Sequence, residues 1–89
     1  MLNYEQQVEL GKRLKCWDVE PNELTAVDLS KNGLPYTYMF ESLRGGRQVI
    51  IGNDGKLLFF SSSLSLDQVL TEIKNNNVWE KAVEPDKFL

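Results

Sequence analysis

The apolar positions of this chain recur with a helical period near both of its ends and with a period of two between them. The first helical pattern predicts a helix over residues 3–16, which should end before Pro21 because the residue preceding a proline avoids helical backbone. The second pattern predicts a helix over residues 65–76, where Ser65 and Gln68 have the spacing of a capping box.

The two-residue alternation predicts three strands, at residues 36–43, 47–52 and 56–61. The Gly45-Gly46 pair offers the positive φ angles of a tight hairpin between the first two. The stretch 52–56, Gly-Asn-Asp-Gly-Lys, lacks the spacing of a phosphate-binding or calcium-binding loop. It predicts instead a type I hairpin turn whose second glycine adopts left-handed backbone.

The segment 18–34 has two interpretations. A short helix could begin at Pro21 and end at Gly33, or residues 24–29 could form an edge strand. We favour an irregular or short helical segment. The tail, residues 78–89, carries apolar side chains that pack either on their own domain or on a partner.

These elements predict one α+β domain over residues 1–89, in which an N-terminal helix, a meander of three or four antiparallel strands and a C-terminal helix are followed by the tail. We expect helices on one face of the sheet, with the other face exposed or covered by something else. The chain of 89 residues is 42% apolar and 26% charged, as is usual for a folded domain.

Charge and cysteine content narrow the range of functions that this chain can have. The net charge of −3 argues against a nucleic-acid partner. One cysteine, Cys16, forms no internal disulfide, and without histidine it has no base to activate it and no zinc site of the usual kind. Charges in the first twenty residues interrupt any signal-peptide core, and no apolar run reaches membrane-spanning length. We expect a cytoplasmic protein of bacterial or viral origin.

Three features are candidates for contact with a partner protein. An acidic stretch without any base is either a solvated face or a surface for a basic partner. Two arginines at a hairpin tip either grip an anion or keep the tip soluble. An aromatic residue in the tail is either core or an interface anchor. The residues are Asp18, Glu20, Glu23 and Asp28 in the acidic stretch, Arg44 and Arg47 at the tip, and Trp79 in the tail.

No residues have the spacing of a catalytic set, so we expect a non-enzymatic protein that needs no metal or cofactor and acts by binding another protein. The first hypothesis is an inhibitor or immunity-type protein that blocks a toxin, nuclease or defence factor through an acidic and aromatic surface. Residues 46–76 resemble small bacterial immunity proteins in their strand pair and capped helix, over about a third of the chain and without assigning any residue a role. The alternative is a subunit of a larger complex or a homodimer, docking through the tail.

Overall fold

The computed structural model describes residues 1–42, 45–76 and 78–89. Short 3-10 turns lie at Pro21–Glu23, Leu29–Asn32, Val78–Lys81 and Pro85–Phe88. The helices and strands of the described residues are α1 (Tyr4–Arg13), β1 (Leu24–Asp28), β2 (Tyr36–Glu41), β3 (Gln48–Gly52), β4 (Leu57–Phe60) and α2 (Leu66–Asn75). The predicted α+β class, with a helix near each end of an antiparallel sheet, is confirmed. Neither helix is long and apolar enough to span a membrane.

The sheet is a meander of four antiparallel strands in the order β1-β2-β3-β4. Leu24 lies opposite Glu41 in the β1–β2 pair, so β1 forms one edge of the sheet. The prediction of an irregular or short helical segment over residues 18–34 is therefore wrong for residues 24–28. These residues form the edge strand of the alternative interpretation. Gly33 does end a helical turn, with φ of 77°, but that turn is the short one after β1.

Helix α1 is shorter than predicted and ends at Arg13 rather than at residue 16. Asn3 caps its first turn, and Gln6 returns the bond in a capping box. At the other end Leu14 takes up extended backbone and is only 4% exposed, because its side chain enters the core. The indole Nε1 of Trp17 donates to the Gly11 carbonyl oxygen at 2.8 Å, which satisfies an end group that a longer helix would have bonded.

Each face of the sheet carries one helix, which corrects the expectation of helices on a single face. On one face Val69 and Ile73 of α2 pack with Ile50 of β3. On the other, α1 approaches so closely that a Cβ atom at Gly11 would lie 2.1 Å from the Met39 sulfur. A helix on either side explains why β3 is buried throughout, since its alternate side chains enter two separate clusters.

The two hairpins of the meander differ in how well their turns match the prediction. Gly55 has φ of 82°, and its N–H donates to the Gly52 carbonyl at 3.0 Å, which confirms the turn predicted there. Gly45 has the predicted positive φ, at 72°, but β2 ends at Glu41 and β3 begins at Gln48, so these strands are further apart along the chain than in the predicted tight hairpin. Leu43, the predicted end of the first strand of this hairpin, lies outside the described residues, as does Arg44.

The tail packs on its own domain. Val83 and Leu57 exchange two main-chain hydrogen bonds of 2.8 Å, so the tail pairs with the free side of β4. Phe88 then contacts Phe59 with ring centroids 4.9 Å apart, and its carbonyl accepts from the N–H of Lys15. The tail therefore pairs with one edge of the sheet at Leu57, and β1 is the other edge.

Candidate functional site

Strand β1 presents main-chain groups that point away from the sheet. In an antiparallel pair, consecutive residues alternate between bonding the neighbouring strand and pointing outward. The Glu41 N–H donates to the Arg47 carbonyl on the β3 side, so the next residue, Phe40, bonds towards β1, where its partner is Thr25. The main chain of Ala26 therefore points outward, as does that of Leu24.

The outward side of β1 is open along its middle. The N–H of Leu24 donates to the Pro21 carbonyl, which closes the first position. Within the described residues, neither the N–H nor the carbonyl of Ala26 has a partner other than solvent. All five residues of the strand are partly exposed. We call this outward side of Leu24–Asp28 the β1 edge.

The acidic residues predicted as candidates lie at both ends of the β1 edge. Glu20 and Glu23 belong to the turn that leads into the strand, where the Glu20 N–H donates to the Glu23 carboxylate at 3.1 Å. Asp28 ends the strand, about 13 Å from its start at the usual rise per residue. The four predicted acids therefore do not converge on one point but flank a strand without charged side chains between them.

A hydrogen bond to the buried carboxylate of Glu41 holds Asp18 near the start of β1. Sequence analysis did not single out Glu41 as a candidate. Glu41 is only 3% exposed, and its two oxygens accept from the main-chain N–H groups of Asp18, at 2.6 Å, and Arg47, at 2.8 Å. The side chains of Asp18 and Arg47 then form an ion pair with a separation of 3.7 Å. Both are more than half exposed, so this pair adds little stability by itself.

We call Asp18, Glu20 and Glu23 the acidic corner. Within the described residues, Glu20 and Glu23 form no ion pair, and their carboxylates are exposed. At the far end, hydrogen bonds from the main chain and side chain of Ser30 hold the pKa of Asp28 below its ordinary value, helped by the charge of Lys31. Asp28 thus stays ionised beside the opposite charge of Lys31, whereas Glu20 and Glu23 are two carboxylates without an ion pair to any described residue, so the acidic corner is the end of the β1 edge with the stronger negative charge.

Trp79, the predicted aromatic candidate, contacts its own domain and lies away from the acidic corner. Its ring stacks on Tyr36 with centroids 4.3 Å apart. Its Nε1 donates to Asp54 in the β3–β4 turn at 3.0 Å. Gly52 leaves room for the indole, since a Cβ atom there would lie 2.3 Å from its Cζ2. The β3–β4 turn, whose sequence lacks the spacing of a phosphate-binding or calcium-binding loop, thus contacts the tail.

Asp54→Asn is expected to remove a part of the stability that depends on pH. Partial burial acts to raise the pKa of Asp54, but hydrogen bonds from Trp79 and the main chain, with the charge of Lys56, hold that pKa below its ordinary value. A carboxyl with a lowered folded-state pKa stabilises the fold above its unfolded-state pKa, and this contribution disappears as pH falls through the folded-state pKa.

The difference in urea midpoint between the wild-type protein and Asp54→Asn should be constant from about pH 7 to pH 5 and shrink below about pH 4. Asp86→Asn, at an exposed position of the tail, is the matched control. A difference as large at about pH 3 as at pH 7 would mean that the Asp54 charge contributes nothing.

Cys16 lies in a cleft of about 340 Å³ whose lining includes Phe59, Phe88 and Arg47. Burial raises the pKa of its thiol above the ordinary value, which outweighs the opposing influence of Arg47. At neutral pH the group is therefore the protonated thiol, which is the poorer nucleophile. The cleft offers an apolar wall rather than an activated cysteine.

The structure thus brings some of the predicted residues together and separates others. Asp18 and Arg47 meet, whereas Trp79 is elsewhere, and Arg44 lies outside the described residues. Sequence analysis did not predict that the main-chain N–H and carbonyl of Ala26 lie on an unpaired strand edge. Among the described residues, no three cysteine or carboxylate side chains lie where they could hold one metal ion. No protein-family model, curated protein or solved structure that was compared with this chain matches it, so no residue role is transferred from a relative.

Proposed function

We propose that this domain is a protein-binding module without chemistry of its own, an inhibitor or immunity-type protein that blocks a toxin, nuclease or defence factor. The observation that carries this proposal is the β1 edge, which is open along its middle and flanked by acidic side chains at both ends. An exposed strand edge is a site at which another chain can pair.

Charge favours a basic partner at this surface. The exposed carboxylates of Glu20 and Glu23 create a local negative field within a domain whose net charge is −3. Proteins that act on nucleic acid carry basic grooves for phosphate, and an acidic surface that enters such a groove gains both association rate and specificity. An inhibitor of a nuclease or of a similar basic protein therefore suits this edge.

The alternative, a subunit that docks through the tail, has less support. Trp79 is stacked on Tyr36, and Phe88 is packed against Phe59. A partner that took up these rings would have to break contacts that the domain already makes. Both sheet faces also carry a helix of their own, which removes the exposed face that association would have covered.

Glu20→Gln with Glu23→Gln is expected to weaken binding to the partner while leaving the fold intact. The amide oxygen at position 23 still accepts from the Glu20 N–H, so the turn is kept and only charge is lost. Tagged wild-type protein and the double variant are each incubated with lysate of the host cell, and the retained proteins are identified by mass spectrometry. The captured protein is then purified, and its affinity is measured by calorimetry.

The matched control is Glu84→Gln with Asp86→Asn, which removes as many negative charges from the tail, beside the opposite edge of the sheet. We expect one basic protein to be retained by the wild-type protein and by this control. The double variant at the acidic corner should bind it at least about tenfold more weakly. Equal affinity of all three proteins, or no retained protein, would contradict the proposal.

A further inference from the structure

We infer that the partner binds as an added strand: an extended segment with lysine or arginine towards its ends pairs with the β1 edge and makes a fifth strand of the sheet. This inference rests on the proposed function and names how that contact is made. Strand addition obtains affinity from main-chain hydrogen bonds and selectivity from the side chains beside them.

The main-chain groups that such a strand needs are in place. Ala26 directs both its N–H and its carbonyl away from β2, and the carbonyl of Leu24 points the same way. Within the described residues these groups have no hydrogen-bond partner, although the other edge of the same sheet is paired with Val83. The tail thus pairs with the β4 edge at Leu57, whereas no described segment pairs with the middle of the β1 edge.

The side chains of β1 leave room for a neighbouring strand. Natural edge strands are often guarded by a proline, a lysine or a bulge, and the residues Thr25, Ala26 and Val27 contain none of these. They are small or β-branched, which suits pairing with a similar segment. Protection against unwanted pairing comes instead from the charges at the two ends.

The acidic charges at the two ends of β1 favour a basic segment over a second copy of this chain as the added strand. Two copies of β1 paired antiparallel about Ala26 would place the Asp28 of each opposite Leu24 of the other, next to Glu23, and like charges this close disfavour the pair. A segment with basic residues at its ends gains attraction where the second copy meets repulsion. The acidic corner is thus an obstacle to self-association and an attraction for a basic strand.

Ala26→Pro tests the main-chain contact directly. Proline removes the outward N–H and places its ring in the path of an added strand, but it breaks no bond to β2. The probe is a synthetic peptide of about eight residues with valine and threonine in the middle and lysine pairs at both ends. A second peptide has glutamate in place of every lysine. Ala26→Ser, which keeps the N–H, is the matched control variant.

We expect the wild-type protein and Ala26→Ser to bind the lysine peptide, and Ala26→Pro to bind it about tenfold more weakly or worse. Binding should weaken at high salt and be absent for the glutamate peptide. In the wild-type protein, which needs no substitution, the peptide should slow hydrogen exchange of the Ala26 amide. The amides of Thr25 and Val27 already bond β2 and serve as internal references.

Three results would overturn the inference. The lysine peptide could fail to bind, it could bind Ala26→Pro as tightly as the wild-type protein without slowing exchange at Ala26, or the protein could sediment as a dimer that Ala26→Pro dissociates. The first two leave the proposed function standing if a captured partner still depends on Glu20 and Glu23. Loss of that dependence would instead contradict the proposed function itself.

Discussion

Replacement of Trp79 by alanine is expected to lower the free energy of unfolding by about 2–4 kcal/mol. The indole stacks on Tyr36, lies over Gly52 and donates to Asp54, so truncation removes an aromatic contact, apolar burial and a hydrogen bond together. The range is below that of a fully buried tryptophan because Trp79 is half-buried. Urea unfolding followed by circular dichroism measures the loss.

Trp79→Phe separates the ring from the hydrogen bond. It keeps most of the stacking on Tyr36 but cannot donate to Asp54, so we expect a loss of about 0.5–1.5 kcal/mol. If Trp79→Ala left stability unchanged but abolished binding of the captured partner, the tail would be a docking segment, and the alternative function would be favoured. A large loss of stability with unchanged affinity of the folded protein supports the packing described above.

Replacement of Glu41 by alanine is expected to cost about 2–4 kcal/mol of stability. Its carboxylate, only 3% exposed, accepts from the main-chain N–H groups of Asp18 and Arg47, and truncation leaves both donors without this acceptor. Each unsatisfied donor costs about 1–3 kcal/mol when it stays buried, and water that enters the space reduces that cost. The contact also holds the acidic corner against β2, so partner binding should weaken as well.

Glu41→Gln is the informative companion variant. Its amide oxygen can accept one of the two N–H groups, but its NH2 group faces the other donor, so the loss of stability should be intermediate. Both variants are measured by urea unfolding at neutral pH. A change below about 0.5 kcal/mol in Glu41→Ala would show that these hydrogen bonds are replaced by water and that Asp18 is positioned by other contacts.

Features that depend on neighbouring residues could be read from the sequence. The Ser65 cap of α2 acts across three residues, and the left-handed Gly55 turn closes across a similar span. The alternation along β2 was also correct, with Tyr38 in the cluster under α2 and Met39 in the cluster under α1. Hydrogen bonds of this kind and the two-residue period are properties of the local chain, which is why they can be predicted.

Side chains with distant partners could not be predicted from the same patterns. Gln7 is buried in α1 because its amide donates to the Pro35 carbonyl, 28 residues away, and its oxygen accepts from Thr37. Glu41 and Trp79 find their partners across 23 and 25 residues. The sequence did place Glu41, a charged residue, on the inward-facing side of its strand. Its role as a hydrogen-bond acceptor could not be predicted, because that role depends on where residues 18 and 47 lie in the fold.

The sequence by itself determined the α+β class, the capped C-terminal helix and the turn before β4, because short-range hydrogen bonds and side-chain period specify them. Only the tertiary structure decided that β1 is a strand and that it forms the open edge. Residues 24–28 become a strand because β2 bonds them, and they remain an edge because no other described segment pairs with their outward side. Strand pairing depends on contacts between separate segments of the chain, so the proposed binding surface follows from which strands pair with a neighbour.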